Sequence, residues 1–152
     1  MQGSLKFVKG DATRPIGEGN KMLLHICNDE NRWGAGFVLA VSRRWPEVER
    51  VYRASPMNST LGANIVVEVA PNLKVVNMIA QHGIGKSLDG TPPIRYWALE
   101  SCLRDVADIA KNWFATIHMP RIGCGLAGSD WSQIEPIVQK TIGCLTVYVY
   151  DL

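Results

Sequence analysis

The chain has no apolar run that approaches the roughly 20 residues of a membrane span, and its start lacks the apolar core of a secretory signal. It has no clustered cysteines. Cys27, Cys102, Cys124 and Cys144 are scattered, without the CxxC spacing of a zinc or redox motif. They read as reduced thiols of a cytoplasmic protein, and no metal site is expected. It has little excess charge: the net +2 does not argue for a nucleic-acid binder, although it tolerates an anionic ligand. No internal repeat and no low-complexity tract interrupts it. The absence of Gly-X-X-X-X-Gly-Lys-Ser/Thr excludes a P-loop NTPase. Gly34-Ala35-Gly36 lacks the third glycine of a dinucleotide fold, and the first strand is in the wrong place for one.

What is present is enough for one domain. The 152 residues, 47% hydrophobic, can bury a real core but not two ordinary ones. The most informative stretch begins at His25-Ile26-Cys27-Asn28 and runs through Trp33-Gly34-Ala35-Gly36-Phe37. An apolar run, a polar turn, Gly-X-Gly and a second apolar run read as strand, loop, helix. The glycines let backbone N–H groups point outward, and the following helix adds its positive N-terminal end. Such a place suits a phosphate or pyrophosphate.

The rest of the chain alternates. A short strand over residues 5–9 ends in Gly10-Asp11-Ala12-Thr13, a turn signal. Residues 21–27 are nearly all apolar, as a strand buried on both faces should be. Helices are expected over 37–44 and from Pro46 onward. The β-branched runs 64–69 and 73–79, split by Ala70-Pro71-Asn72, read as a hairpin. A long polar loop over 81–93 precedes the strongest helical pattern, 94–111. Residues 115–120 form a strand that enters a second glycine loop, Arg121-Ile122-Gly123-Cys124-Gly125-Leu126-Ala127-Gly128. Asp130 and Gln133 then have capping-box spacing at a helix start, and 145–150 is a closing strand. This order predicts an α/β fold with a mixed sheet and helices on both faces. Ligands in such sheets collect at the carboxyl ends of strands, so both glycine loops could flank one diphosphate.

The motifs Gly10-Asp11-Ala12-Thr13, His25-Ile26-Cys27-Asn28, Trp33-Gly34-Ala35-Gly36-Phe37, Met119-Pro120-Arg121-Ile122-Gly123-Cys124-Gly125-Leu126-Ala127-Gly128 and Val149-Tyr150-Asp151-Leu152 resemble a macrodomain over nearly the whole chain. The likeness is to the branch of terminal ADP-ribose protein glycohydrolase and the yeast-type ADP-ribose 1″-phosphate phosphatase. It implies a single three-layer α/β/α macrodomain over residues 1–152 with a mixed central sheet and ADP-ribose in a cleft above it. By that resemblance Asp11 receives the adenine amino group and Ala12 contacts a neighbouring adenine nitrogen. Tyr150 and Leu152 lie beside the adenine. Gly34, Ala35, Gly36 and Phe37 wrap one side of the diphosphate, and Ile122, Gly123, Cys124, Gly125, Leu126, Ala127 and Gly128 the other. Asn28 sits by the distal ribose, which Trp33 covers or merely packs near.

The branch's chemistry is not carried over. Its catalytic lysine aligns with Gln81 and its aspartate with Ala127. Glutamine is no Schiff-base nucleophile and alanine no proton carrier. Three other groups are candidates for catalysis. Asn28 could orient a water, Asp130 could assist one or simply cap its helix, and His82 could act as acid or base or be a solvated loop histidine. His25 and His118 read as core histidines. The expected activity is hydrolysis by a positioned water. It would release ADP-ribose from a carboxyl-linked protein adduct or phosphate from ADP-ribose 1″-phosphate, and the alternative is a non-catalytic ADP-ribose reader. The expected partners are ADP-ribose as ligand or product and an ADP-ribosylated protein as substrate. No cofactor, membrane or nucleic acid is expected. No long heptad or exposed apolar helix argues for an obligate dimer, so a monomer is expected.

Overall fold

The structure is a computed structural model and describes residues 3–152. The first strand is β1 (Ser4–Lys9), and β2 (Lys21–Asn28) leads into α1 (Phe37–Arg44) and α2 (Pro46–Ala54). The hairpin strands are β3 (Asn64–Ala70) and β4 (Leu73–Gln81). Then come α3 (Tyr96–Trp113), β5 (Thr116–Pro120), α4 (Trp131–Ile142) and β6 (Thr146–Asp151). The sheet order is β1-β6-β5-β2-β4-β3. The pairs β1–β6, β6–β5, β5–β2 and β2–β4 are parallel, and β3–β4 is the antiparallel hairpin. The mixed sheet and its element order match the sequence reading. Helix α3 starts at Tyr96, two residues later than the periodicity predicts, because Ile94 forms an isolated antiparallel bridge with Gln81.

Period-two alternation builds two cores. Met22 and Leu24 of β2, Val76 and Met78 of β4 and Ile117 and Met119 of β5 pack with Leu99, Leu103 and Ile134 of α3 and α4. Leu23 and Cys27, Val75 and Ile79 face the opposite way, toward Val41, Val48 and Tyr52 of α1 and α2. The result is three layers, with the sheet between two helix pairs. No helix among the described residues is long and apolar enough to cross a membrane. All four cysteines are free, and Cys27 and Cys102 are buried.

Two histidines are buried in this frame. His118 on β5 is hydrogen-bonded through Nε2 to Thr116 Oγ1 at 2.8 Å and through Nδ1 to the Tyr150 hydroxyl at 2.7 Å. His25 on β2 is 1% exposed. Burial pushes each down from 6.5 to about 4, with Lys21 assisting at His118 and a hydrogen bond to Asn77 opposing at His25.

Two predictions follow from this packing. Leu103 is fully buried between α3 and the sheet. Leu103→Ala removes apolar contact and leaves a cavity, so unfolding free energy falls by about 2–5 kcal/mol. In urea titration the midpoint drops while the slope is unchanged. The histidines make stability fall in acid. Their folded-state pKa values lie below the unfolded value, so between pH 6.5 and 4 the unfolded chain binds the extra protons. Their contribution is complete above pH 6.5 and is lost toward pH 4, at roughly 1 kcal/mol per pH unit for each histidine. Urea midpoints across that range check this, and His118→Gln should flatten the slope.

Candidate functional site

Parallel pairing brings the carboxyl ends of β2, β4, β5 and β6 to one edge of the sheet. The loops after β2 and β5 rise from neighbouring strands and enclose a cleft of about 980 Å³. Asn28, the last residue of β2, shapes the first loop. Its Oδ1 accepts from the backbone N–H groups of Glu30 at 2.9 Å and Arg32 at 3.1 Å, and its Nδ2 donates to the Arg32 carbonyl at 2.8 Å. The Tyr52 hydroxyl of α2 donates to the Asn28 carbonyl at 2.7 Å. Asn28 therefore reaches the cleft mainly as a clamp on its own loop, with one Nδ2 hydrogen to spare.

The loop then delivers free donors. The N–H groups of Gly34, Ala35, Gly36, Phe37 and Val38 find no acceptor among the described residues. Gly36 is the N-cap of α1 with φ 82 and no side-chain cap bond. A Cβ there would stand 2.9 Å from Leu126 Cδ1 of the second loop, so the loops touch across the cleft. In the second loop the N–H groups of Gly123, Gly125, Leu126 and Ala127 are likewise without an acceptor. Gly123 has φ 78, and a Cβ there would meet Ile134 and Ile94 at 2.8 Å. Two stretches with unpaired N–H groups thus line one space, an arrangement suited to an anion.

Of the residues expected to bind, Asn28, Trp33, Gly34, Ala35, Gly36, Phe37, Ile122, Gly123, Gly125, Leu126 and Ala127 line this cleft. Cys124 and Gly128 belong to the second loop but are not among the residues that line the cleft. The Cys124 thiol donates to the Ile122 carbonyl at 3.5 Å, and burial raises its pKa. Asp11, Ala12, Tyr150 and Leu152 lie outside the cleft, toward the β1–β6 side. Asp11 Oδ1 accepts from the Thr13 hydroxyl at 2.7 Å and the Thr13 N–H at 2.9 Å. The hydroxyl contact is the main cause of its lowered pKa. Ala12 and Tyr150 are buried, the Tyr150 hydroxyl accepting from the Ile16 N–H at 2.9 Å, and Leu152 is fully exposed.

Asp130 and His82 are not among the lining residues. Asp130 holds the N-cap position of α4, but its carboxylate accepts from Ser132 Oγ and makes no cap bond to the helix backbone. The capping box suggested by its spacing with Gln133 is thus not formed. His82 is largely exposed, its Nδ1 held 2.8 Å from Asp29 Oδ2. Asp29 also accepts from the Gly83 N–H at 2.9 Å, tying the loop after β4 to the loop after β2. Gln81 does line the cleft, and its Nε2 donates to the Gly83 carbonyl at 2.8 Å.

The sequence reading missed several lining residues. Arg32, Arg53, Ile84 and Arg121 reach the wall. Arg121 is engaged elsewhere, making paired bonds of 2.7 and 2.9 Å to Asp151 and stacking over Phe7 and Trp131. His25 is a correction. It is buried as expected of a core histidine, but it lines the cleft and only one of its nitrogens has a good partner. Only its place two residues before Cys27 on a buried strand could have pointed to this. Among the described residues no cluster of His, Cys, Asp and Glu could hold a metal ion.

Comparison with known proteins follows the same lines. No family profile matches the chain. It is 48% identical to a solved protein of unknown function from Bacteroides thetaiotaomicron, with a TM-score of 0.92 over 99% of both chains. It is 43% identical to a macrodomain protein from Streptomyces coelicolor, with a TM-score of 0.84 over 98% of this chain and 99% of that one. Thermosipho africanus DarTG, solved in complex with ADP-ribose, shares the fold alone: 18% identity and a TM-score of 0.74 over 96% of this chain and 41% of that one. Among curated proteins, the chain is 28% identical to the Mus musculus chromodomain-helicase-DNA-binding protein 1-like over 97% of its own length, but spans only 18% of that protein. It is 22% identical to the ADP-ribose 1″-phosphate phosphatase of Meyerozyma guilliermondii, over 95% of this chain and 98% of that one. With 43% identity to a solved macrodomain protein over almost the whole of both chains, on a fold whose two glycine loops enclose an anion cleft, this chain belongs to the macrodomain family.

Proposed function

We propose that the cleft binds ADP-ribose and that the chain is an ADP-ribosyl hydrolase. One observation carries the reading: two rows of unpaired backbone N–H groups face each other across a single cleft. A diphosphate threaded between them would satisfy donors that otherwise have no acceptor in the protein. The relatives named for ADP-ribose 1″-phosphate and the macrodomain structure holding ADP-ribose support the same ligand. The substrate is a carboxyl-linked ADP-ribosylated protein or ADP-ribose 1″-phosphate. No cofactor takes part, and the protein acts as a cytoplasmic monomer.

With Gln81 and Ala127 in place of the lysine and aspartate, water is the nucleophile. In the protein reaction, the water oxygen bonds to the anomeric carbon while the bond from that carbon to the carboxyl oxygen breaks. The electron pair leaves on the carboxylate, and the water proton passes to a phosphate oxygen of the bound ligand. Positioning and backbone donors supply the rate.

A second reading, a non-catalytic reader, is favoured by one feature of the wall: its lining residues include no Asp, Glu or Lys.

Two assays decide between the readings. The protein is incubated with a glutamate-ADP-ribosylated protein and, separately, with ADP-ribose 1″-phosphate, and products are followed by mass. Release from either establishes a hydrolase that works without the lysine. Tight calorimetric binding of ADP-ribose with no release from either supports the reader. Absence of binding removes both. Gly36→Ala probes the cleft directly, because the new methyl group meets Leu126 and the residue must hold φ 82. ADP-ribose affinity should fall about tenfold or more.

A further inference from the structure

The face of the sheet toward α1 and α2 is covered in two ways. The helices pack over β2, β3 and β4. Over β5 and β6 the same face meets residues 10–20, which join β1 to β2 and hold neither helix nor strand. This segment has little apolar surface to bury. Ala12 and Thr13 are buried, but Arg14 and residues 16–19 are exposed, and Gly17 and Gly19 have positive φ. Irregular backbone laid on a sheet needs polar partners beneath it. The strands supply them: Thr116, His118 and Tyr150 point to this face, while Ile117 and Met119 belong to the opposite core.

His118 is the centre of these contacts and is fully buried. The Ile16 N–H donates to the Tyr150 hydroxyl at 2.9 Å, and that hydroxyl lies 2.7 Å from His118 Nδ1. On the other side of the ring, Nε2 lies 2.8 Å from Thr116 Oγ1, whose hydroxyl reaches the Asn20 carbonyl at 3.5 Å. The Thr116 N–H donates to the same carbonyl at 3.0 Å. Every hydrogen finds an acceptor when Tyr150 donates to Nδ1 and Nε2–H donates to Thr116. The ring is neutral near physiological pH, since burial pushes its pKa down to about 4, so it offers one acceptor and one donor. The Tyr148 ring stacks on it with centroids 5.0 Å apart. One buried histidine thus ties down the segment at Ile16 and again at Asn20.

We propose that His118 is a positioning residue for ligand binding: through Tyr150 and Thr116 it holds residues 10–20 in place as the wall on the nucleoside side of the bound ligand. The inference rests on the ADP-ribose reading above, with the base toward Asp11. The segment leaves β1 at the edge of the sheet that carries both glycine loops, where the Gly10 N–H donates to the Asp151 carbonyl at 2.8 Å. Asp11 follows at once. Its Oδ1 is taken by Thr13, and its Oδ2 has no partner among the described residues. The direction of that free oxygen depends on how the rest of the segment is held, and the buried tie at Ile16 lies five positions further on. His118 acts from beneath, through Tyr150 and the segment, without touching the ligand. Loosening it therefore weakens a ligand that carries the nucleoside and spares a bare diphosphate, which meets the glycine loops alone.

The test compares the whole chain with two variants. His118→Leu removes both ring contacts, and His118→Gln keeps one donor and one acceptor. Amide hydrogen exchange is followed at residues 10–20 and, as a check on the fold, in α1. ADP-ribose and inorganic pyrophosphate are titrated against the amide resonances of residues 34–38. In His118→Leu, exchange at residues 10–20 should rise while α1 is unchanged. ADP-ribose affinity should fall about tenfold with pyrophosphate affinity unchanged, and His118→Gln should restore most of the loss. Wild-type ADP-ribose affinity in His118→Leu overturns the inference, as does an equal loss for both ligands. If exchange rises in α1 as well, Tyr150→Phe decides by the same pair of titrations, because it removes the hydroxyl and keeps the ring. Amides of the wild-type chain that move with pyrophosphate but not with ADP-ribose, or with neither, remove the ADP-ribose reading and this inference with it, whatever the exchange shows.

Discussion

Strand β2 is paired in parallel on both sides, with β4 and with β5, and the cleft depends on that arrangement. Parallel neighbours must end at the same edge, so the loops that follow them are brought side by side however far apart they are in sequence. Residues near 35 and near 125 meet for this reason. A central strand also has no solvent-facing side, which is why β2 is apolar on both faces and why the polar residues it carries near its end are spent on specific bonds. Asn28 is the clearest case: its amide fixes the loop that presents the glycines, and Tyr52 holds its carbonyl from the helix layer.

The first loop and α1 work as one unit. Gly36 ends the loop with a positive φ and begins the helix without a side-chain cap. A serine or aspartate at that N-cap would turn a side-chain oxygen onto the helix's first N–H groups. With glycine there, those N–H groups stay available, and the helix's positive end points at the cleft. The Leu126 side chain stands against Gly36, so a Cβ there would require its terminal methyl to move, and the positive φ of Gly36 disfavours any other residue.

Much of this was legible in the sequence, and the reason is local. The strand–loop–helix pattern around Gly34 and Gly36, the hairpin at Pro71 and the amphipathic α3 are each written in short-range periodicity and turn chemistry. Most of the glycine-loop residues were legible as lining one cleft, because the loops that follow neighbouring strands leave their backbone donors exposed. Side-chain roles set by distant partners were not legible. Arg121 lines the cleft, yet its guanidinium is engaged by Asp151, 30 positions away. Asp130 could be read as a helix cap, yet Ser132 takes its carboxylate. His25 could be read as satisfied, but one Asn77 amide serves only one of its two nitrogens. For Arg121 and His25 the deciding contact is tertiary, and periodicity carries no record of it; for Asp130 it is a local side-chain contact two residues on.

The distribution of charge explains how such a cleft can be selective without being sticky. Of the arginines on its wall, Arg121 is paired with Asp151 and Arg53 with Glu49 at 2.8 Å. The groups that face inward are neutral dipoles on rigid backbone. A lysine is strongly hydrated and carries considerable rotamer freedom, so enlisting it costs dehydration and ordering. Backbone N–H groups held by strand ends and a helix start are already oriented, and little reorganises when an anion arrives. They also fall off steeply with distance, so an anion gains from them only if its oxygens sit at the loop surfaces. An anion that offers oxygens to both loops therefore gains more than one that meets a single row of donors.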